Sequence, residues 1–176
     1  MSTHWIAGGA VLLCGMAAWW DLRHRKIPNA LTLPAVAVAL CLHLFSNGGT
    51  GLLLSLAGML VAGAVVLPGY ALGFTGAGDV KLLAAVGALL AFPTAMLAAL
   101  LSLVLGGLLS VLISVWRGNL LGLLVNTFGM GRWLLIRSAG MPVPAPARSA
   151  GRLPLGVAIA IATLVVIFIP WPGATR

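Results

Sequence analysis

A chain of 176 residues with 61% hydrophobic and only 7% charged residues, and a mean hydropathy of +1.15, is far from a soluble domain, in which about 25% of residues are charged. The composition excludes a water-soluble globular enzyme and points to a polytopic membrane protein of single-domain length. The net charge of +8 is of a size that suits nucleic acid, but the placement of the charges points to membrane topology instead, and no nucleic-acid partner is expected.

A spanning helix needs about 20 apolar residues. The first apolar run covers residues 4–20 and ends in Trp19 and Trp20, a pair suited to a membrane interface. It lacks a basic leader region and a small-residue cleavage site, so it reads as a retained helix. Residues 21–29 form a polar hairpin containing Pro28. A second run covers 30–45, residues 46–50 (Ser-Asn-Gly-Gly-Thr) are a turn, and a third run covers 51–72. A glycine-rich loop, 73–81, follows. The apolar stretch 82–116 is too long for one helix and is divided by Pro93, which breaks the helical ladder. This predicts a short fourth helix over 82–92 and a fifth over 94–116. Residues 120–136 are apolar enough for a seventh span, but they carry Asn126, Arg132 and three glycines; with Asn119, Asn126, Trp133 and Arg137 near one helical face, the preferred reading is an amphipathic helix lying in the interface. Residues 141–146 (Met-Pro-Val-Pro-Ala-Pro) are a stiff linker. The last run is 153–169. The expectation is an all-α bundle of about six transmembrane helices plus one interfacial helix, forming one domain over 1–176.

Basic residues mark the cytoplasmic side. Arg23, Arg25 and Lys26 follow the first helix, Lys81 follows the third, and Arg117, Arg132, Arg137, Arg148 and Arg152 follow the fifth; only Arg176 falls on the other side. Six helices with both termini outside fit this pattern. Cys14 and Cys41 lie in apolar runs without ligand spacing and read as packed thiols.

The only acidic residues are Asp21 and Asp79. In this orientation both fall at cytoplasmic helix ends. Each is either paired with a local cation, Asp21 with Arg23 or Arg25 and Asp79 with Lys81, or held at membrane depth for function. Two carboxylates that approach closely share one proton, so that one acts as a general base on water while the other hydrogen-bonds a peptide carbonyl. That chemistry needs no metal and no cofactor. His4, His24 and His43 show no metalloprotease spacing, and Ser55, Ser102 and Ser110 read as small packing residues between helices. Gly76 and Gly78 beside Asp79 remove side chains where a substrate backbone approaches and permit positive φ; with Lys81 they form the expected substrate-binding set. A proton-relay transporter and a non-catalytic scaffold of a secretion apparatus are the competing readings.

The run Gly76-Ala77-Gly78-Asp79-Val80-Lys81 closely resembles the G-x-G-D-x-K signature of the type IV prepilin peptidases. The stretch Asp21-Leu22-Arg23-His24-Arg25-Lys26-Ile27-Pro28-Asn29 is similar to their first aspartate motif, and Leu153-Pro154-Leu155-Gly156 is similar to the I-P-F-G segment that opens their last helix. The resemblance implies a GxGD aspartyl protease with Asp21 and Asp79 as catalytic pair. It also implies a prepilin or pseudopilin substrate with a basic leader, a pilus or secretion machinery as partner, and a bacterial cytoplasmic (inner) membrane location with the active site facing the cytoplasm. The paired C-x-x-C motifs of the longer members' N-terminal methyltransferase region are missing, so the chain resembles the short, peptidase-only members of tight-adherence (Flp) pilus systems, and methylation of the product is not expected. The presenilin-like proteases, which also use G-x-G-D, are a competing resemblance; the Val80-Lys81 flank and the early Asp21 motif favour the prepilin peptidases.

Overall fold

A computed structural model describes residues 3–24, 27–71, 75–116, 118, 121–122, 125, 128–129 and 155–169. The described residues are helical with no strand: α1 (Thr3–His24), α2 (Asn29–Ala71), α3 (Ala77–Leu90), α4 (Thr94–Trp116) and α5 (Leu155–Phe168). α2 and α4 are long and apolar enough to cross a membrane, and α5 is a shorter apolar helix. Most of the expected interfacial helix over 120–136, and the whole linker 141–146, lie outside the described residues.

α2 holds 43 residues, about 65 Å of helix at 1.5 Å per residue, roughly twice the hydrocarbon thickness of a bilayer. It does not run straight. Gly48 adopts φ 61°, ψ −148°, a combination essentially reserved for glycine, and the two arms fold back so tightly there that the Gly51 backbone lies against the His43 carbonyl. The turn expected over 46–50 is therefore present. Both arms pack along α3. The first arm runs in the direction of α3, from an Asn29–Lys81 contact to a His43–Leu89 contact. The second runs the opposite way, from Ser55 at Ala88 to Gly69 beside Thr75. Midway, Gly58 and Gly87 meet backbone to backbone, and a Cβ on either would collide with the other's carbonyl oxygen. Small residues at such a crossing let helices approach closely, the usual source of packing energy in lipid.

α3 is the centre of the bundle. Leu82, Leu83, Ala85, Val86, Gly87, Ala88 and Leu89 are all buried, the pattern of a helix apolar on every side. Its last carbonyls have no intrahelical partner, and lipid offers no water to satisfy them. The fold supplies donors instead: Ser55 Oγ donates to the Ala88 carbonyl (2.7 Å) and His43 Nε2–H to the Leu89 carbonyl (3.0 Å). The chain then turns through Ala91 (φ 56°) and a cis Phe92–Pro93 bond, and α4 begins at Thr94, where the position of Pro93 predicts it.

α1 and α4 run opposite to α3, and α5 runs with it. Gly9 of α1 approaches Leu89, the Thr163 and Cys14 side chains meet across α5 and α1, and Gly106 of α4 lies against Leu155 and Ala158 of α5. One end of the bundle therefore gathers the end of α1, both outer ends of α2, the start of α3 and the start of α5. The opposite end carries the uncharged Gly48 and Pro93 turns.

Candidate active site

Two aspartates stand at the gathered end, both inside helices. The expectation of a hairpin around Asp21 and an unwound loop around Asp79 is corrected on both counts. α1 continues to His24, because backbone hydrogen bonding does not stop where an apolar run stops, and Leu22, Arg23 and His24 are compatible with helix. Asp21 extends the buried stripe Ala10, Leu13, Cys14 and Ala17, spaced three and four apart. It is 8% exposed, a carboxylate on the inner face of its helix.

α3 begins at Ala77, with Gly76 as the extended N-cap (φ −84°, ψ 153°) and Asp79 as the third helical residue. The Asp79 carboxylate reaches back and accepts the Gly76 N–H on Oδ2 at 2.9 Å. This is the acidic half of a capping box; glycine has no side chain to supply the other half. The helix N-terminus also favours the negative charge of Asp79.

The positive φ expected of Gly76 and Gly78 is absent from both. Gly76 is extended, and Gly78 lies within the first turn of α3 without positive φ. Gly78 is instead a point of close approach. A Cβ there would lie 3.2 Å from Ile27 Cβ and 3.3 Å from Ile27 N. Lys81 Nζ donates to Asn29 Oδ1 at 2.9 Å. The segment that follows Asp21 is thus docked on the segment that carries Asp79 at two points, and Gly78 and Lys81, expected to contact substrate, make these internal contacts. Arg25 and Lys26 lie outside the described residues.

A third segment completes the site. The Gly156 N–H, at the start of α5, donates to Asp21 Oδ2 at 3.2 Å, across 135 positions of sequence. Around the end of α1, Arg23 lies over the Trp19 ring at 5.6 Å and Trp20 stacks on His24 at 4.8 Å, an aromatic and cationic collar of the kind that sits at headgroup level. Among the described residues no three His, Cys, Asp or Glu side chains converge as a metal site. Asn29 and Gly156, which touch Lys81 and Asp21, are not among the site residues expected from the sequence. Both stood at the ends of recognised motifs, and that was the available signal.

Two helices long and apolar enough to cross a membrane, with two carboxylates at one end of the bundle that each accept a backbone N–H, suggest a membrane protein with an acidic end. The sequence profile of the type IV leader peptidase family matches residues 9–111, more than half of the chain, and the protein belongs to that family. It is accordingly a leader-peptidase-type protease. No curated protein and no solved structure matches the chain.

Proposed function

We propose that the chain is an aspartic endopeptidase of the GxGD type that removes the basic leader of prepilin-like precursors, with Asp21 and Asp79 as its catalytic pair. The observation that carries this reading is the docking of the two aspartate-bearing segments on each other, Ile27 on Gly78 and Asn29 on Lys81. In the mechanism, one carboxylate takes a proton from water as the water attacks the scissile carbonyl. The other, protonated, hydrogen-bonds the carbonyl oxygen and supports the developing charge. Paired carboxylates of this kind titrate as a unit, with one proton shared between them. Gly76 is half-buried and Ala77 exposed beside Asp79 at the end of the bundle.

Arg23 and Lys81 stand at the site end, whereas the Gly48 and Pro93 turns at the other end carry no charge. This supports an active site facing the cytoplasm, in a chain whose two α2 arms and four other helices cross the inner membrane as six spans of one domain. A precursor with a basic leader followed by an apolar helix lies in the same bilayer with its scissile bond at that face. The test is incubation of membranes containing the protein with a prepilin and mass spectrometry of the product. Release of the leader as one fragment supports the reading; an intact precursor, with proton flux across vesicles that depends on the aspartates, would replace it with a transporter.

A further inference from the structure

The segment resembling I-P-F-G has no part in the chemistry above, yet its glycine touches the site. We propose that Gly156 is a positioning residue for Asp21: the start of α5 holds the Asp21 carboxylate by a backbone N–H that only glycine can bring close enough. The proposal rests on the reading of Asp21 as catalytic.

Three observations converge. Gly156 is the second residue of α5, so its N–H is among the helix-start amides without an intrahelical acceptor, and it donates to Asp21 Oδ2 at 3.2 Å. Gly156 is buried, and a Cβ on it would lie 2.9 Å from Asp21 Oδ2, 3.2 Å from its Cβ and 3.3 Å from its Cγ. Any other residue displaces the carboxylate or the helix. The helix start is itself seated: Gly106 of α4 leaves room for Leu155, where a Cβ would lie 2.5 Å from Leu155 Cδ1.

Electrostatics gives the contact a purpose. Asp21 occupies the last turn of α1, where the partial negative charge of the helix C-terminus opposes a carboxylate. Asp79 has the reverse situation, in the first turn of its own helix with the Gly76 amide on its Oδ2. α5 brings to Asp21 what α3 provides to Asp79. Each aspartate accepts a backbone N–H from a helix start, and for Asp21 that helix comes from the far end of the chain.

The experiment measures kcat and KM for leader cleavage by purified enzyme in nanodiscs, with thermal melting of the same samples. Gly156→Ala is expected to lower kcat about 100-fold, the order of loss that follows a displacement near 1 Å in a catalytic group, with KM and melting temperature unchanged. Gly107→Ala on α4, where a Cβ meets nothing within 4 Å, serves as control and keeps wild-type kinetics. A second variant, made by cell-free synthesis, replaces the Gly156 amide with a backbone ester. It removes the N–H without adding an atom, and kcat is expected to fall about tenfold, as for loss of a hydrogen bond to a charged group. Wild-type kcat in the ester variant, a Gly156→Ala defect confined to KM, or a loss that tracks lowered melting overturns the proposal. Asp21→Asn is measured alongside. If it is inactive while both Gly156 variants are normal, the positioning role alone falls; if it cleaves normally, the catalytic reading of Asp21 falls instead.

Discussion

Replacing Gly78 with larger residues tests whether the two aspartate segments must dock as closely as they do. A Cβ at position 78 meets Ile27 Cβ at 3.2 Å and Ile27 N at 3.3 Å, so Gly78→Ala requires Ile27 to yield by a few tenths of an ångström. Gly78→Val adds two methyl groups beyond that Cβ, directed at a loop whose backbone is already in contact, and forces a separation of about 1 Å. Overpacking of this kind costs roughly 1–3 kcal/mol, which a bundle with this much buried interface survives. A 1 Å shift between catalytic groups costs about 100-fold in rate. The expected series is therefore a several-fold loss of kcat for alanine and a loss near 100-fold for valine, both at normal membrane abundance. The assay is leader cleavage under single-turnover conditions, normalised to inserted protein by blot. Wild-type kcat in Gly78→Val would refute the reasoning, because it would mean that the approach of Ile27 to α3 has no bearing on the chemistry.

Gly48→Ala places a side chain at φ 61°, ψ −148° and is expected to lower unfolding stability in detergent by about 1–3 kcal/mol while leaving the specific activity of folded enzyme unchanged; an unaffected denaturation midpoint contradicts the tight reversal of α2. Lys81→Met and Asn29→Leu each remove the same 2.9 Å contact, so their effects on cleavage are expected to be non-additive in a double-mutant cycle, whereas additive losses would mean that Lys81 acts elsewhere. Single cysteines at Arg23 and Asn47, in a background without Cys14 and Cys41, are expected to label from opposite sides of the membrane, and labelling from one side contradicts the hairpin of α2.

Signals local in sequence could be read directly. The helix Thr94–Trp116 follows from its apolar length and the Pro93 break, and the Gly48 reversal lies within the Ser-Asn-Gly-Gly-Thr turn. The helix ends near the aspartates differ from those expected because hydropathy marks where a helix leaves the apolar phase, not where its hydrogen bonds end. Asp21 is the first residue past the apolar run, yet its spacing of four from Ala17 places it on the inner stripe. Gly76 and Gly78 suggest a loop at Asp79, although a small N-cap residue followed three positions later by an acid is a helix-start pattern, and α3 starts there. The contacts of Asn29 with Lys81, Ile27 with Gly78 and Gly156 with Asp21 join residues remote in sequence, and no periodicity encodes them. The caps of α3 from His43 and Ser55 are likewise not legible: nothing in an apolar run says which carbonyl a polar side chain within it meets.

The catalytic pairing of Asp21 and Asp79 is tested most directly by leader cleavage in Asp21→Asn, Asp79→Asn and the double variant, each at matched membrane abundance. Asparagine nearly preserves volume but cannot take a proton from water. Two carboxylates that act as one unit give strongly non-additive losses. Each single variant is expected to abolish cleavage, and the double variant to be no worse than either. Retained cleavage in one single variant at normal abundance would remove that aspartate from the pair and contradict the proposed mechanism.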